Sequence, residues 1–409
     1  MKSPTSRLHR RQIPCIARVL VTATSLMGAA CGRDVLIGIE TIGRHPAGTG
    51  GTSEGTGGVG STGGTGGVVT SSGGVFGGTG GAWASSGGSS GGSISCPTIS
   101  TTIGQLNPCG RTTAVAYSPD GRLLASATET VGGSATPFLH VWRLSDGALL
   151  SEPTPEPGSF YDIGAYNVAF SPDGTLIATA GHAPRATPFS NTVKLWDTAT
   201  GALLKTFPTK CGQNAVALGF SHDGTRLVTA GEVGGIEVWS IPGGTLLLTL
   251  PFNNTVYTAH FSPDDTRLIT ASLLIGTVWN AATGTKIFDI PGLEGEMNAA
   301  AYSPNGQMIV ATADEGKVKV LNAAGVLLQT LTFKPATTPY FSNAVWIDDS
   351  RFVIDDWSGA VKEWTADGSG TFVQSRAWSQ NTQTLGMAVS PDRTTLVVGG
   401  DAGFVFLSP

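Results

Sequence analysis

Residues 165–201 read AYNVAFSPDGTLIATAGHAPRATPFSNTVKLWDTATG, and the fold follows from how that string divides. A first strand runs to Ala169-Phe170, and Ser171-Pro172-Asp173-Gly174 turns the chain into a second strand at Leu176-Ile177-Ala178. A third strand ends at Trp196, and a hairpin at Gly201 leads into a fourth. Pro sets φ at the first corner, Asp bonds its own backbone and Gly accepts the left-handed conformation, so the tetrapeptide is turn chemistry and not a metal loop.

The unit recurs seven times, with turns beginning at Ser118, Ser171, Ser221, Ser262, Ser303, Ile347 and Ser390, at spacings of 53, 50, 41, 41, 44 and 43 residues. That is the length of one four-stranded propeller blade and not of a helical repeat. Some turns depart from the pattern: Pro263-Asp264-Asp265 and Pro391-Asp392-Arg393 lose the glycine, and His222 stands where the others have proline. Most inner strands end in a small residue and an aromatic, as at Ala116-Tyr117, Ala169-Phe170, Gly219-Phe220 and Ala301-Tyr302, with His260-Phe261 the exception. Small side chains suit strands crowded around an axis, and alternating aromatics suit the wedge between blades. Hairpins at Gly147, Gly201, Gly244, Gly284, Gly325 and Gly368 lead into the fourth strands.

The expectation is therefore an all-β, seven-bladed β-propeller of four-stranded antiparallel blades. The seventh unit reaches Pro409 directly after its third strand, so the segment Thr98 to Leu106 is expected to complete the last blade and close the ring. The units resemble the WD-repeat propeller family, with Leu195-Trp196-Asp197 after Ser171-Pro172-Asp173-Gly174 as the nearest likeness, over about residues 98–409. The Gly-His pair of that family is absent, the Trp-Asp pair survives only at Trp196-Asp197, and the acid between second and third strands is mostly replaced, as by Ser190 and Val233. These departures touch the family's buried hydrogen-bond network and not its blades. The resemblance implies scaffolding rather than catalysis.

Ahead of the repeats, residues 1–30 carry Lys2, Arg7, Arg10, Arg11 and Arg18 with no acid, then an apolar run from Val19 to Ala30. The run is shorter than the roughly 20 residues a membrane span needs, so it reads as a signal peptide. Gly28-Ala29-Ala30-Cys31 resembles a bacterial lipobox, which implies lipidation at Cys31; ordinary signal cleavage after Ala30 is the alternative. Gly32 rather than Asp after Cys31 favours the outer membrane by analogy with enteric bacteria. Residues 31–95 form a Gly/Ser/Thr-rich tether, with 21 of the chain's 58 glycines between positions 48 and 95, and are expected to be disordered. Residues 96–409 form the propeller.

Without residues 1–30 the chain holds 19 Lys plus Arg against 29 Asp plus Glu, a formal charge of −10. No basic stripe remains, so nucleic acid is not an expected partner. Cys96, Cys109 and Cys211 permit one disulfide in an exported compartment. Cys109 and Cys211 occupy matching places ahead of their turns and are the favoured pair, with reduced buried cysteines as the alternative.

No catalytic residue, metal site or cofactor is indicated. His140, His182, His222 and His260 fall in four different units without metal-ligand spacing, although His260 could face the axial channel. Asp348-Asp349 and Asp355-Asp356 sit near turns of the sixth unit and are expected to be solvated. The better clue is extra length between second and third strands in the first two units, each holding Ala-Thr-Pro-Phe at residues 135–138 and 186–189. Long loops on a rigid scaffold are where binding resides. Phe138, Phe160, Tyr161, Tyr166 and Phe189 would form an aromatic patch with His182 and Arg185 as polar anchors, unless the Phe residues tuck inward as plugs.

The chain thus reads as an exported, lipid-anchored bacterial propeller acting as an interaction scaffold or binding module at the cell envelope. A protein partner is expected, a glycan is possible, the membrane is met through the N-terminal lipid, and the protein is a monomer. The alternative is a propeller hydrolase or lyase with a metal or polar site on the central channel.

Overall fold

A computed structural model describes residues 111–409, apart from 130–137, 154–164, 182–192, 211–214, 232–234, 251, 253, 292–296, 314–315, 334–340, 381–382 and 402. The expected signal peptide, Cys31, the expected tether, the segment Thr98–Leu106 expected to close the ring, Cys109 and Cys211 lie outside the described residues.

The described chain is all β and builds seven blades: Arg111–Ser151, Ala165–Phe207, Ala215–Leu250, Val256–Asp289, Met297–Thr332, Phe341–Ser379 and Thr384–Leu407. Blades 1 to 6 are four-stranded antiparallel sheets with strands in chain order, and three strands of blade 7 are described. Seven apolar clusters join them, one in each seam. The last seam packs Val397 and Phe404 of blade 7 against Val115, Leu124 and Trp142 of blade 1, which closes the ring.

Each Ser-x-Asp turn is locked in the same way. In the second, Ser171 Oγ donates to Asp173 Oδ1 at 2.6 Å, while the amides of Thr175 and Leu176 donate to Asp173 Oδ1 and Ser171 Oγ. These bonds hold the Asp173 carboxyl below the usual carboxylate range. Gly121, Gly174, Gly224 and Gly306 take φ near +70°, whereas Asp265 and Arg393 adopt the same left-handed conformation without being glycine. Asp265 has a compensating role: its carboxylate accepts the amides of His222 and Asp223 at 2.7 and 2.8 Å, tying the turn of blade 4 to that of blade 3. In the sixth outer hairpin the left-handed residue is Gly370 rather than the expected Gly368.

The third-strand tryptophans lie in the seams. Trp196, Trp239 and Trp279 each donate Nε1 to a second-strand hydroxyl, on Thr179, Thr229 and Thr270, at 3.0 to 3.1 Å. In blade 1 the matching Trp142 Nε1 and Ser126 Oγ are buried and have no hydrogen-bond partner among the described residues, and the same holds for both ring nitrogens of the neighbouring His140. Nε2 of His140 lies 3.1 Å from Glu152 Oε1 without hydrogen-bond alignment.

Candidate functional site

The first, second and third strands of a blade alternate in direction. The connections from second to third strand and from outer strand to the next inner strand therefore open on one face, where every inner strand begins. Near that beginning each inner strand carries a register irregularity. The extra residues are Thr113, Tyr166, Val216, Tyr257, Asn298 and Leu385, all half-buried, and in blade 6 the irregularity takes in residues 342–343. A bulge bends its strand and re-aims the extra side chain. Because the inner strands border the axis, these residues ring the mouth of the axial channel.

Hydrogen bonds between blades fix this mouth. Thr113 Oγ1 donates to Ala165 O at 2.5 Å, Asn167 Nδ2 to Val216 O at 3.2 Å, Thr258 Oγ1 to Asn298 O at 3.0 Å, and Asn343 Nδ2 to Leu385 O at 3.0 Å. Across the last seam, Arg111 Nε donates to Asp401 Oδ1 at 2.7 Å and Nη2 to Gln383 Oε1. Three of these acceptors are carbonyls of the bulged residues, so one feature both re-aims a side chain and joins the neighbouring blade.

Farther down, register places Ala116, Ala169, Gly219, His260, Ala301, Val345 and Ala388 at one level of the axis. Six are small or medium apolar residues, as the crowding of strands requires, and the seventh is an imidazole. His260 fits because its neighbour is Gly219: a Cβ there would lie 3.3 Å from His260 Nδ1 and 3.1 Å from Ala259 O. The ring is exposed, but to a space walled by protein, and the lost hydration pushes its pKa down to about 4, with His222 adding a smaller push. His260 is therefore neutral at physiological pH. Among the described residues, no three His, Cys, Asp or Glu side chains are grouped to hold a metal ion.

Two members of the expected aromatic patch are described. Phe138 is 4% exposed and packs on Trp196 with ring centroids 5.7 Å apart. It fills the place that Phe207, Phe252 and Phe333 fill over Trp239, Trp279 and Trp364, so it belongs to the seam between blades 1 and 2. Tyr166 is half-buried at the mouth. Phe160, Tyr161, His182, Arg185 and Phe189 lie outside the described residues. His140 is buried, and desolvation pushes its pKa down to about 4.

The acids of blade 6 correct the sequence expectation. Asp349 is exposed as expected, but Asp355 and Asp356 are 0% and 1% exposed. They lie inside a second strand and not in the following turn, because the strand extends to Asp356 before turning at Trp357. Nothing in the sequence marks Tyr257, Asn298 or Asn343, because a one-residue bulge leaves no trace in the repeat spacing.

The model for the WD40 family, described as WD domain, G-beta repeat, matches residues 162–197, the stretch that holds blade 2 up to its Trp-Asp pair. Among curated relatives, Telomerase protein component 1 of Mus musculus is 32% identical over 126 residues, which is 31% of this chain and 4% of that protein. An uncharacterized WD repeat-containing protein of Synechocystis is 26% identical over 224 residues, covering 53% of this chain and 58% of the relative. Coronin-7 of Rattus norvegicus is 29% identical over 108 residues, 24% of this chain and 12% of that protein. The chain therefore spans less than two thirds of each of these relatives. Together with the closed ring of seven antiparallel blades, these matches support a WD-repeat propeller.

Proposed function

We propose that the protein is a protein-interaction scaffold that receives its partner on the face where the inner strands begin. What supports this is the ring of bulged residues at the channel mouth, where Tyr166 and Tyr257 stand among Thr113, Val216, Asn298 and Leu385. Tyrosine offers apolar area and a polar tip at small entropic cost, and rigid aromatics recur as anchors of protein interfaces. The long second-to-third-strand connections of blades 1 and 2, with Phe160, Tyr161, His182, Arg185 and Phe189 near them in sequence, would extend the contact on that face. Inter-blade bonds hold the mouth before binding, so little ordering cost falls on the partner's arrival.

In the same proposal the protein is exported and held at the outer membrane by lipid on Cys31, the tether giving the propeller reach from the surface. Related WD-repeat proteins point to a protein partner; a glycan would bind through the same aromatic residues. The test is photo-crosslinking in cells with the crosslinker at Tyr166 or Tyr257, and at rim residue Leu204 as control. One polypeptide captured from both mouth positions and not from the rim is expected. Capture from the rim alone would contradict the assignment.

A further inference from the structure

The seam between blades 6 and 7 differs from the other six. Register sets Asp355 at the second-strand position occupied by Ala127, Ala180, Ala230, Ala271, Thr312 and Gly399 in the other blades. Glu363 stands where the third strands otherwise carry Val141, Leu195, Val238, Val278, Val320 and Phe406. Both face blade 7, because their cross-strand partners Val361 and Val353 belong to the apolar cluster of that seam. Two carboxyls thus occupy an interface that is built elsewhere from small and aliphatic side chains, and they are 0% and 2% exposed.

Asp355 has work to do there. The amide of Asn343 donates to its Oδ1 at 2.7 Å, and Asn343 Nδ2 lies 3.2 and 3.1 Å from its two oxygens. The same Nδ2 donates to Leu385 O of blade 7 at 3.0 Å. Beside it, Thr384 Oγ1 of blade 7 donates to Asp356 O at 2.7 Å. Asn167 in blade 2 and Thr258 in blade 4 make comparable bonds to the next blade, but the second-strand residue at the level of Asp355 is Ala180 or Ala271 in those blades. Among the described residues, only in blade 6 does a carboxyl orient the bridging side chain.

We infer that this seam is a proton-set latch: Asp355 holds Asn343, Asn343 holds blade 7 through Leu385, and the protonation state of the buried carboxyl decides how firmly blade 7 is held. Among the described residues, the charged groups around it offer no neutralising partner. Asp356, next along the strand, repels it. Glu363 shares the seam, with Arg351 Nη1 4.0 Å from its Oε1, and Arg376, across from Glu363 on the outer strand, donates to Ser408 O. Blade 7 presents Thr384, Leu385, Met387, Gly399 and Gly400, none of them charged.

Burial raises the Asp355 pKa to about 7, outweighing the hydrogen bonds from Asn343 and Thr384 that would lower it. A carboxyl whose folded pKa lies above its ordinary value stabilises the closed seam fully at acidic pH and loses that contribution as pH rises through the folded pKa. Opening of blade 7 should increase about tenfold per pH unit between roughly pH 4 and pH 7 and level off above. Blade 7 contributes Leu385 to the channel mouth, so the latch would tune the mouth with the pH of the medium.

Hydrogen exchange of the segment Thr384–Val389 in the full chain, corrected for intrinsic base catalysis, tests this against Asp355→Asn, which keeps an acceptor for Asn343 but cannot ionise. The wild-type opening constant should rise on the order of 100-fold from pH 5 to pH 7, while the variant stays within about threefold. An equal rise in the variant would overturn the latch. Should the variant not fold, infrared titration of the wild type decides: a protonated-carboxyl band lost with a midpoint near pH 7 supports the proposal, and its absence above pH 6 overturns it.

Discussion

Gly386 of blade 7 lies directly against Ala114 of blade 1: a Cβ on Gly386 would stand 2.6 Å from Ala114 Cα and 3.0 Å from its carbonyl carbon. The obstacle is backbone, so no rotamer change relieves it. Closure of the ring therefore requires glycine at this position.

Gly386→Ala is accordingly expected to destabilise the protein by about 2 kcal/mol or more, the range of overpacking in a close-packed interior. Gly368→Ala, at a site with nothing within 4 Å, should stay within about 0.5 kcal/mol of wild type. Urea unfolding of both variants checks the contrast. Equal stabilities would mean that blades 7 and 1 do not approach this closely.

Ser126→Thr should raise the melting temperature. Threonine at the matching position holds the tryptophan N–H in blades 2, 3 and 4, whereas Trp142 Nε1 and Ser126 Oγ are buried and have no partner among the described residues. Forming that bond is worth about 1 kcal/mol. Thr179→Val, the reverse experiment, should cost a comparable amount, and a rise in Tm for that variant would contradict the assignment.

Acid should destabilise the domain through His140. Its folded pKa is depressed to about 4, so the unfolded chain takes up the proton first as pH falls. The stabilisation is complete above the ordinary pKa near 6.5 and is lost as pH falls through about 4, at up to about 1.4 kcal/mol per pH unit. His260, depressed by the same cause, adds in the same direction. Denaturant unfolding between pH 4 and 7 should show a shallower slope in His140→Phe, and an unchanged slope would rule this histidine out.

The expected closing segment and the proposed lipid anchor are tested separately. Deleting residues 97–106 should leave the edge of Gly403–Leu407 unpaired and lower both solubility and melting temperature. Cys31→Ala should move the protein from the membrane fraction to the soluble exported fraction. A deletion as soluble and heat-resistant as the parent, or a Cys31 variant still bound to membranes, would remove the corresponding assignment.

The blades were legible in sequence because turn residues and strand alternation are local. Ser171 to Gly174 announces its turn whatever surrounds it, and Ala169-Phe170 shows which side chain meets the axis and which meets the wedge. The inward Phe138 was one of two open readings, since a loop phenylalanine carries no sign of the tryptophan it will meet. Burial of Asp355 was not legible: in a repeat this degenerate, Asp355-Asp356 looks like any turn, and only pairing with Val361 reveals a strand inside a seam. The mouth was hidden for a related reason. A bulge such as Tyr257 inserts one residue into a strand without altering the recurrence of turns, so it becomes visible only in the pairing of Val256 with Ser272 and Thr258 with Ala271.

The seven blades form a closed ring whose last and first members share a core. A crystal structure of the full chain would decide whether this closure is real. Seven sectors are predicted, with Val397 and Phe404 packed on Leu124 and Trp142, and Gly386 against Ala114. Six or eight sectors, or a solvent-filled gap between Val397 and Leu124, would contradict it.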